Sequence, residues 1–260
     1  MTCMKKYVIS LKTENTRRAH ITSEFSQQKI SFDFFDAITP DQAIQYAHDF
    51  GLTMDERYLT SGELACFMSH FLLWQKALDE NLPYIAIFED DIFLGESAVQ
   101  FLMSDDWIPT TLDVVKLEAF APKVVLGAKI ASVYQRDICY LKGANLGAAG
   151  YILSKDGAKS LIAFIKNAKI LLPLDHMVFE LYLKEKQRVV GQVVPALCIQ
   201  ELELNKIKNS GYTLKSALLD ERHCRMKSHK VKGFAKLKKE AARLPLQLYN
   251  LLFARKVEFK

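Results

Sequence analysis

Nowhere in these 260 residues does an apolar run approach the roughly 18 positions that a bilayer-crossing helix needs. Lys5 and Lys6 precede an apolar stretch, Tyr7–Leu11, that is too short for the core of a secretory signal. Both absences point to the cytoplasm, or to a peripheral place on its membrane face. Cysteine is scarce: Cys3, Cys66, Cys139, Cys198 and Cys224 are odd in number and widely spaced. None of the cysteine pairs has zinc-ribbon or redox-motif spacing, so they read as reduced thiols. No G-x-G-x-x-G or P-loop pattern occurs, which argues against NAD or ATP as the ligand. Internal repeats and low-complexity tracts are lacking too.

What is present is the balance of an ordinary globular protein, with 50% apolar and 25% charged residues. The length suffices to bury one full core. Charge is uneven: residues 222–260 hold 12 Lys/Arg against 2 Asp/Glu, whereas residues 1–221 hold 23 against 28. The chain divides into an acidic body, 1–221, and a basic tail, 222–260. In the tail, Phe234, Leu237, Ala241, Leu244, Leu248 and Leu251 alternate steps of three and four. Lys232, Lys236, Lys239 and Arg243 flank them, and Pro245 is expected to kink or divide the helix. Such a basic amphipathic helix suits an anionic membrane surface; docking against the body, with the lysines in water, is the alternative. Few aromatics interleave with these lysines, so no nucleic-acid partner is expected.

The most informative stretch is Tyr84-Ile-Ala-Ile-Phe-Glu-Asp-Asp91. Five apolar residues form a strand with both faces buried, and it ends in three adjacent carboxylates. Two unit charges about 4 Å apart repel by about 1 kcal/mol in water and about 4 kcal/mol at an effective dielectric near 20. A divalent cation turns that repulsion into attraction, and all-oxygen ligands suit Mg²⁺ or Mn²⁺. Ligands of open α/β sheets sit beyond the carboxyl ends of strands, so the run reads as a metal site for a phosphorylated ligand. A solvated strand end is the plainer alternative.

Strands at Lys6–Leu11, Ser31–Phe35, Tyr84–Phe88, Asp113–Leu117 and Tyr151–Leu153 alternate with helical patterns. The helices are expected over Thr16–Gln28, Pro40–Gly51, from Ser61 to Leu78, from Ser154, and from Pro173 to Lys184. Val124–Tyr140 reads as a hairpin or excursion, and Val189–Ile199 as β-rich. This order predicts an α/β fold with a mostly parallel central sheet. Thr60 or Ser61 caps the strongest helix, with Glu63 in its first turn. Glu63 and His70, seven apart, share a face beside the apolar stripe. Arg17 and Arg18 open their helix against its dipole, which suggests a facing phosphate.

Thr60-Ser-Gly-Glu-Leu-Ala-Cys-Phe-Met-Ser-His70, followed by Trp74, resembles the "GE-x-x-C-x-x-SH" helix of glycosyltransferase family 25, the lipooligosaccharide galactosyltransferases. Four further blocks stand in the family's order: Val8–Leu11 with Arg17-Arg18, Ile87–Asp91, Gly147–Ser154 with Gly157-Ala158, and Leu172-Pro-Leu-Asp175. Together they span about residues 5–200. Leu64-Ala65 stands where Ile-Gly is more usual. The resemblance implies a GT-A-like nucleotide-sugar fold. It also implies inverting, single-displacement transfer of a hexose from a UDP-sugar to lipooligosaccharide or lipopolysaccharide. Galactose is the first expectation and glucose the close alternative.

On that reading Mn²⁺ or Mg²⁺ is held by Asp91, then Asp90, then Glu89, and neutralises charge developing on the diphosphate. Inversion needs a general base. Asp175 matches the family's Pro-x-Asp position, and Glu118, at a strand end, is the second choice. As a helix cap, Asp175 could equally be structural, and its neighbour His176 a metal ligand or a solvated side chain. Ser10, Arg18, Glu63, His70, Glu89 and Asp90 are the expected donor contacts. Glu63 as a capping-box residue and His70 as a satisfied core histidine are the plainer alternatives. A metal-dependent phosphohydrolase and a non-catalytic sugar-nucleotide module are the rival functions.

Overall fold

A computed structural model describes residues 4–120, 123–185, 187–208, 214, 225, 244–245 and 248–260. In chain order the elements are β1 (Lys5–Ser10), α1 (Asn15–Gln27), β2 (Asp33–Asp36), α2 (Pro40–Asp49), α3 (Ser61–Asp79), β3 (Tyr84–Glu89) and β4 (Ile92–Leu94). Next come α4 (Ala98–Leu102), β5 (Val114–Lys116), β6 (Glu118–Ala119), β7 (Val124–Val133), β8 (Arg136–Leu141), β9 (Gly150–Ser154) and α5 (Lys155–Lys166). The last are α6 (Leu174–His176), β10 (Val190–Val194), β11 (Cys198–Gln200), α7 (Glu201–Lys208) and β12 (Ala254–Arg255). A π-helical turn, Met177–Leu181, and a 3-10 turn, Tyr182–Lys184, continue α6. The segment expected as one helix to Lys184 therefore changes pitch twice.

Nine strands form the main sheet in the order β12-β7-β8-β10-β5-β9-β3-β1-β2. Six of them, β1, β2, β3, β5, β7 and β10, run one way; β8, β9 and β12 oppose them. The molecule is thus an α/β fold with a mixed, mostly parallel sheet. Val124–Tyr140 is the β7–β8 hairpin. Val189–Ile199 is two strands, because after β10 the chain leaves the main sheet and β11 pairs with β4 and β6 in a small second one.

Strand alternation builds the two cores. Tyr7, Ile9, Ile85, Ile87, Tyr151 and Leu153 face one side, where α2, α3 and α5 pack. Val8, Ala86, Phe88 and Ile152 face the other, against Ile21 and Phe25 of α1 and Phe101 and Leu102 of α4. The α3 stripe is the heaviest contribution: Phe67, Met68 and Phe71 are fully buried, each worth about 1.5–3 kcal/mol. Its start is set by a capping box: Glu63 N donates to Thr60 Oγ1 (3.1 Å) and Thr60 N to Glu63 Oε2 (2.9 Å). Ser154 Oγ caps α5 by accepting from Gly157 N at 3.0 Å. Gly157 allows that helix to lie on β5, since a Cβ there would fall 2.2 Å from Asp113 O.

The tail residues Phe234, Leu237 and Ala241 lie outside the described residues, as do Lys232, Lys236, Lys239 and Arg243. Its end is built into the body. β12 pairs with β7, Phe259 bridges Ala196, and Val257 is buried. Arg136 gathers the carbonyls of Glu96, Pro195, Ala196 and Lys260 at 2.6–2.9 Å. Just before β12, Leu248, Tyr249, Leu251, Leu252 and Phe253 are all exposed.

Candidate functional site

β1, β2 and β3 run in parallel and end together. Ser10 pairs in register with Asp36, and Ile9 with Glu89. The carboxyl ends of three strands thus meet where the acidic run begins. The alternation that sorts the core also sorts the acids. Glu89, one position beyond Phe88, turns to the α3 side, where its Oε1 lies 3.7 Å from His70 Nε2 and 3.9 Å from Cys66 Sγ. Asp90 meets Arg17 of α1, whose Nη1 donates to Oδ1 at 2.5 Å, and Nη2 of the same arginine lies 3.8 Å from Asp91 Oδ2. Gln200, ending β11, joins the two sides by donating from Nε2 to Glu89 Oε2 (2.9 Å) and Asp91 Oδ1 (3.3 Å). One reason for the small sheet is now clear: it delivers this amide.

Burial, and after it the charge of Glu89, pushes the Asp91 carboxyl up to about 7, with Arg17 pulling the other way. That is the electrostatic state of a site short of positive charge. The donor set at Asp90 and Asp91 is oxygen only, and a guanidinium already rests against it. These residues fit a hard divalent cation.

Behind Glu89 stands a buried chain of polar groups. Trp74 Nε1 donates to Tyr151 OH at 2.8 Å, and Tyr151 OH shares a 2.9 Å hydrogen bond with His70 Nδ1. Burial drives the His70 pKa down to about 3, so the ring is neutral. Arg18 donates to the Ser10 carbonyl at 3.0 Å, pairs with Asp36 and covers the Phe34 ring at 4.6 Å. It is anchored at the rim of the three strand ends. Ser10 itself is buried there.

Glu63 does what its capping reading predicted, and Arg225 adds a 2.9 Å ion pair to its Oε1. Glu118 is fully buried: Lys116 Nζ is 3.2 Å from Oε2, which also accepts from Ala149 N at 3.1 Å. Burial raises its carboxyl to about 7 against the pull of Lys116, and the charge of Glu89 adds to the rise. Gly147, at φ +89°, makes room for Glu118, because a Cβ would stand 2.7 Å from Oε1. Asp175 is buried at the second position of α6, where Pro173 takes the cap, and its Oδ1 accepts from His176 N at 2.9 Å. His176 Nδ1 pairs with Glu180 Oε2 at 2.8 Å, both side chains partly exposed.

Residues 3–178 match the family model described as "Glycosyltransferase family 25 (LPS biosynthesis protein)". This chain belongs to glycosyltransferase family 25. Similar relatives include the lacto-N-neotetraose biosynthesis glycosyltransferase LgtE of Neisseria gonorrhoeae, 39% identical over 233 residues, covering 84% of this chain and 82% of that one. The lipooligosaccharide biosynthesis protein lic2B of Haemophilus influenzae is 41% identical over 207 residues, 76% of each chain. The lipooligosaccharide biosynthesis protein lex-1 of the same species is 34% identical over 265 residues, covering 89% and 87%. The family 25 chain is thus a glycosyltransferase of lipooligosaccharide and lipopolysaccharide biosynthesis, with a sugar donor and an oligosaccharide acceptor. No helix among its described residues is long and apolar enough to cross a membrane.

Arg17 and Gln200 are the residues of the site least legible in the sequence. Arg17 was legible as a cation opposing a helix dipole, but nothing in the sequence paired it with Asp90 in preference to Arg18. Gln200 gave no signal, since its role depends on β11 entering the second sheet.

Proposed function

We propose that this enzyme moves a hexose, galactose foremost, from a UDP-sugar to a lipooligosaccharide acceptor, with inversion and with a divalent metal bound at Asp91 and Asp90. The observation that carries this reading is the Asp90–Asp91 pair at the end of β3, held against Arg17 with an Asp91 carboxyl raised to about 7. When bound, Mn²⁺ or Mg²⁺ supplies positive charge for the diphosphate leaving group. Arg17, which stands against the same two carboxylates, would add a second positive charge for that diphosphate. Ser10 and Arg18 frame the strand ends where a nucleotide would lie. Gln200 holds Glu89 and Asp91 in place through its amide.

Asp175 is the base proposed for the acceptor hydroxyl, with Glu118 as the alternative. Lys116 and the Ala149 amide already engage Glu118, and that sealed ion pair favours Asp175. Basic residues of the tail and the exposed Leu248–Phe253 stretch suit attachment to an anionic membrane, where a lipid-linked acceptor resides.

The test is a donor screen with Mn²⁺, reading UDP release with and without truncated lipooligosaccharide. Asp91→Asn is expected to lower turnover by roughly a hundredfold or more, on the scale of losing one strong transition-state charge contact. Its far-UV circular dichroism should match wild type. Full activity in that variant, or equal release without acceptor, removes the reading and favours simple hydrolysis. Asp175→Asn and Glu118→Gln separate the two bases.

A further inference from the structure

A few buried side-chain polar atoms among the described residues make no hydrogen bond, and one of them lies beside Glu89. His70 Nε2 is fully buried and makes no hydrogen bond, an omission that costs about 1–3 kcal/mol. It points to the place where Glu89 Oε1 and Cys66 Sγ converge, and the three atoms lie within 4.8 Å of one another. Cys66 and His70 are four apart on α3, so one helix face presents both.

We propose that Cys66, His70 and Glu89 form a second cation site for a borderline-soft divalent ion of the zinc class, separate from the oxygen-only position at Asp90 and Asp91. Thiolate, imidazole and carboxylate together select zinc over magnesium or manganese. Tetrahedral ligands at about 2.0–2.3 Å from the ion stand roughly 3.3–3.6 Å apart. The observed 3.7 Å (His70–Glu89) and 3.9 Å (Cys66–Glu89) close to that by a few tenths of an ångström. A doubly charged ion with one thiolate and one carboxylate leaves the site neutral. Glu89 and Cys66 are partly exposed and His70 forms the floor, so the ion enters from solvent.

Zinc-bound histidines hold their other ring nitrogen in a hydrogen bond. Here Nδ1 has Tyr151 OH at 2.9 Å. With the ion on Nε2, the ring proton sits on Nδ1 and is donated to the Tyr151 oxygen. The Cys66 thiol releases its proton to solvent as the ion binds. Three protein ligands leave one position for water.

Cobalt titration of chelator-stripped protein tests this without any activity measurement. One equivalent of Co²⁺ should give a thiolate-to-cobalt charge-transfer band and the intense visible spectrum of a tetrahedral ion, both displaced by Zn²⁺. Cys66→Ser and Cys66→Ala should abolish the band, and His70→Gln should weaken Co²⁺ binding by more than the roughly 10–100-fold of an outer-shell change. Asp91→Asn should keep the band. Its loss of turnover would bear only on the oxygen site, so the two ideas fail separately. No band in folded wild-type protein, or a band that survives both Cys66 substitutions, overturns the site.

Discussion

Arg17 Nη1 lies 2.5 Å from Asp90 Oδ1, spanning from the first turn of α1 to the loop that leaves β3. Among the described residues, this guanidinium is the positive charge set against Asp90 and Asp91. Removing one partner of a largely buried ion pair leaves the other uncompensated. Arg17→Gln is therefore expected to destabilise metal-free protein by about 1–3 kcal/mol, a range that allows for partial exposure. Mn²⁺ should restore most of the loss. Urea midpoints with and without Mn²⁺ measure both, and an unchanged metal-free midpoint would show the pair to be inert.

The raised carboxyls set a pH dependence whose sign follows from proton linkage. Asp91 and Glu118 ordinarily titrate near 4 and are raised to about 7 in the folded chain. Between these values the folded state binds more protons than the unfolded one, so stability falls as pH rises. From these two groups, metal-free protein should be most stable below about pH 4 and lose that contribution up to about pH 7. Asp91→Asn and Glu118→Gln should each flatten the slope. Because a metal replaces a proton at Asp91, Mn²⁺ should raise Tm more at pH 8 than at pH 6. A Tm gain independent of pH would place the ion elsewhere.

Tyr151 joins the sheet to α3 through Trp74 and His70. Tyr151→Phe keeps the ring and removes both hydrogen bonds, leaving the Trp74 N–H and His70 Nδ1 buried without partners. A loss of about 1–3 kcal/mol is expected for each group stranded. Thermal unfolding reads it. A variant as stable as wild type would mean that neither bond contributes.

The exposed run Leu251, Leu252 and Phe253 tests membrane attachment better than truncation does, because deleting the chain end also removes β12 and the Arg136 contacts. Losing about 1.4 kcal/mol of interfacial burial is a tenfold change. Changing all three to Ser should weaken binding to anionic vesicles by at least about tenfold, with no change in turnover on a soluble acceptor. Equal sedimentation with vesicles would dismiss this contact.

Much of this architecture could be read from local chemistry. The α3 stripe, the Thr60–Glu63 cap and the apolar run that ends in Glu89 are signals carried within a few residues. Direction and partnership were not legible. Tyr151–Leu153 reads as a strand, yet nothing local says that β9 runs against β3 and β5. A tyrosine in such a strand counts as core, and only the fold shows its hydroxyl meeting His70. The i, i+4 spacing of Cys66 and His70 was visible, but cysteines compared only with one another hide it. Long-range pairs such as Arg17–Asp90 and Gln200–Glu89 depend on how loops close, which composition and period do not encode.

At the opposite margin from β12, the main sheet ends in β2, four residues long with Asp33 and Asp36 at its two ends. An outermost strand offers unpaired amide and carbonyl groups to any passing chain. Here the ladder is only four residues long, Asp33 stands exposed at one end, and Arg18 pairs with the Asp36 carboxylate at the other. The outer strand beside the ends of β1 and β3 is thus a short, charged edge, the form by which sheets discourage edge-to-edge pairing.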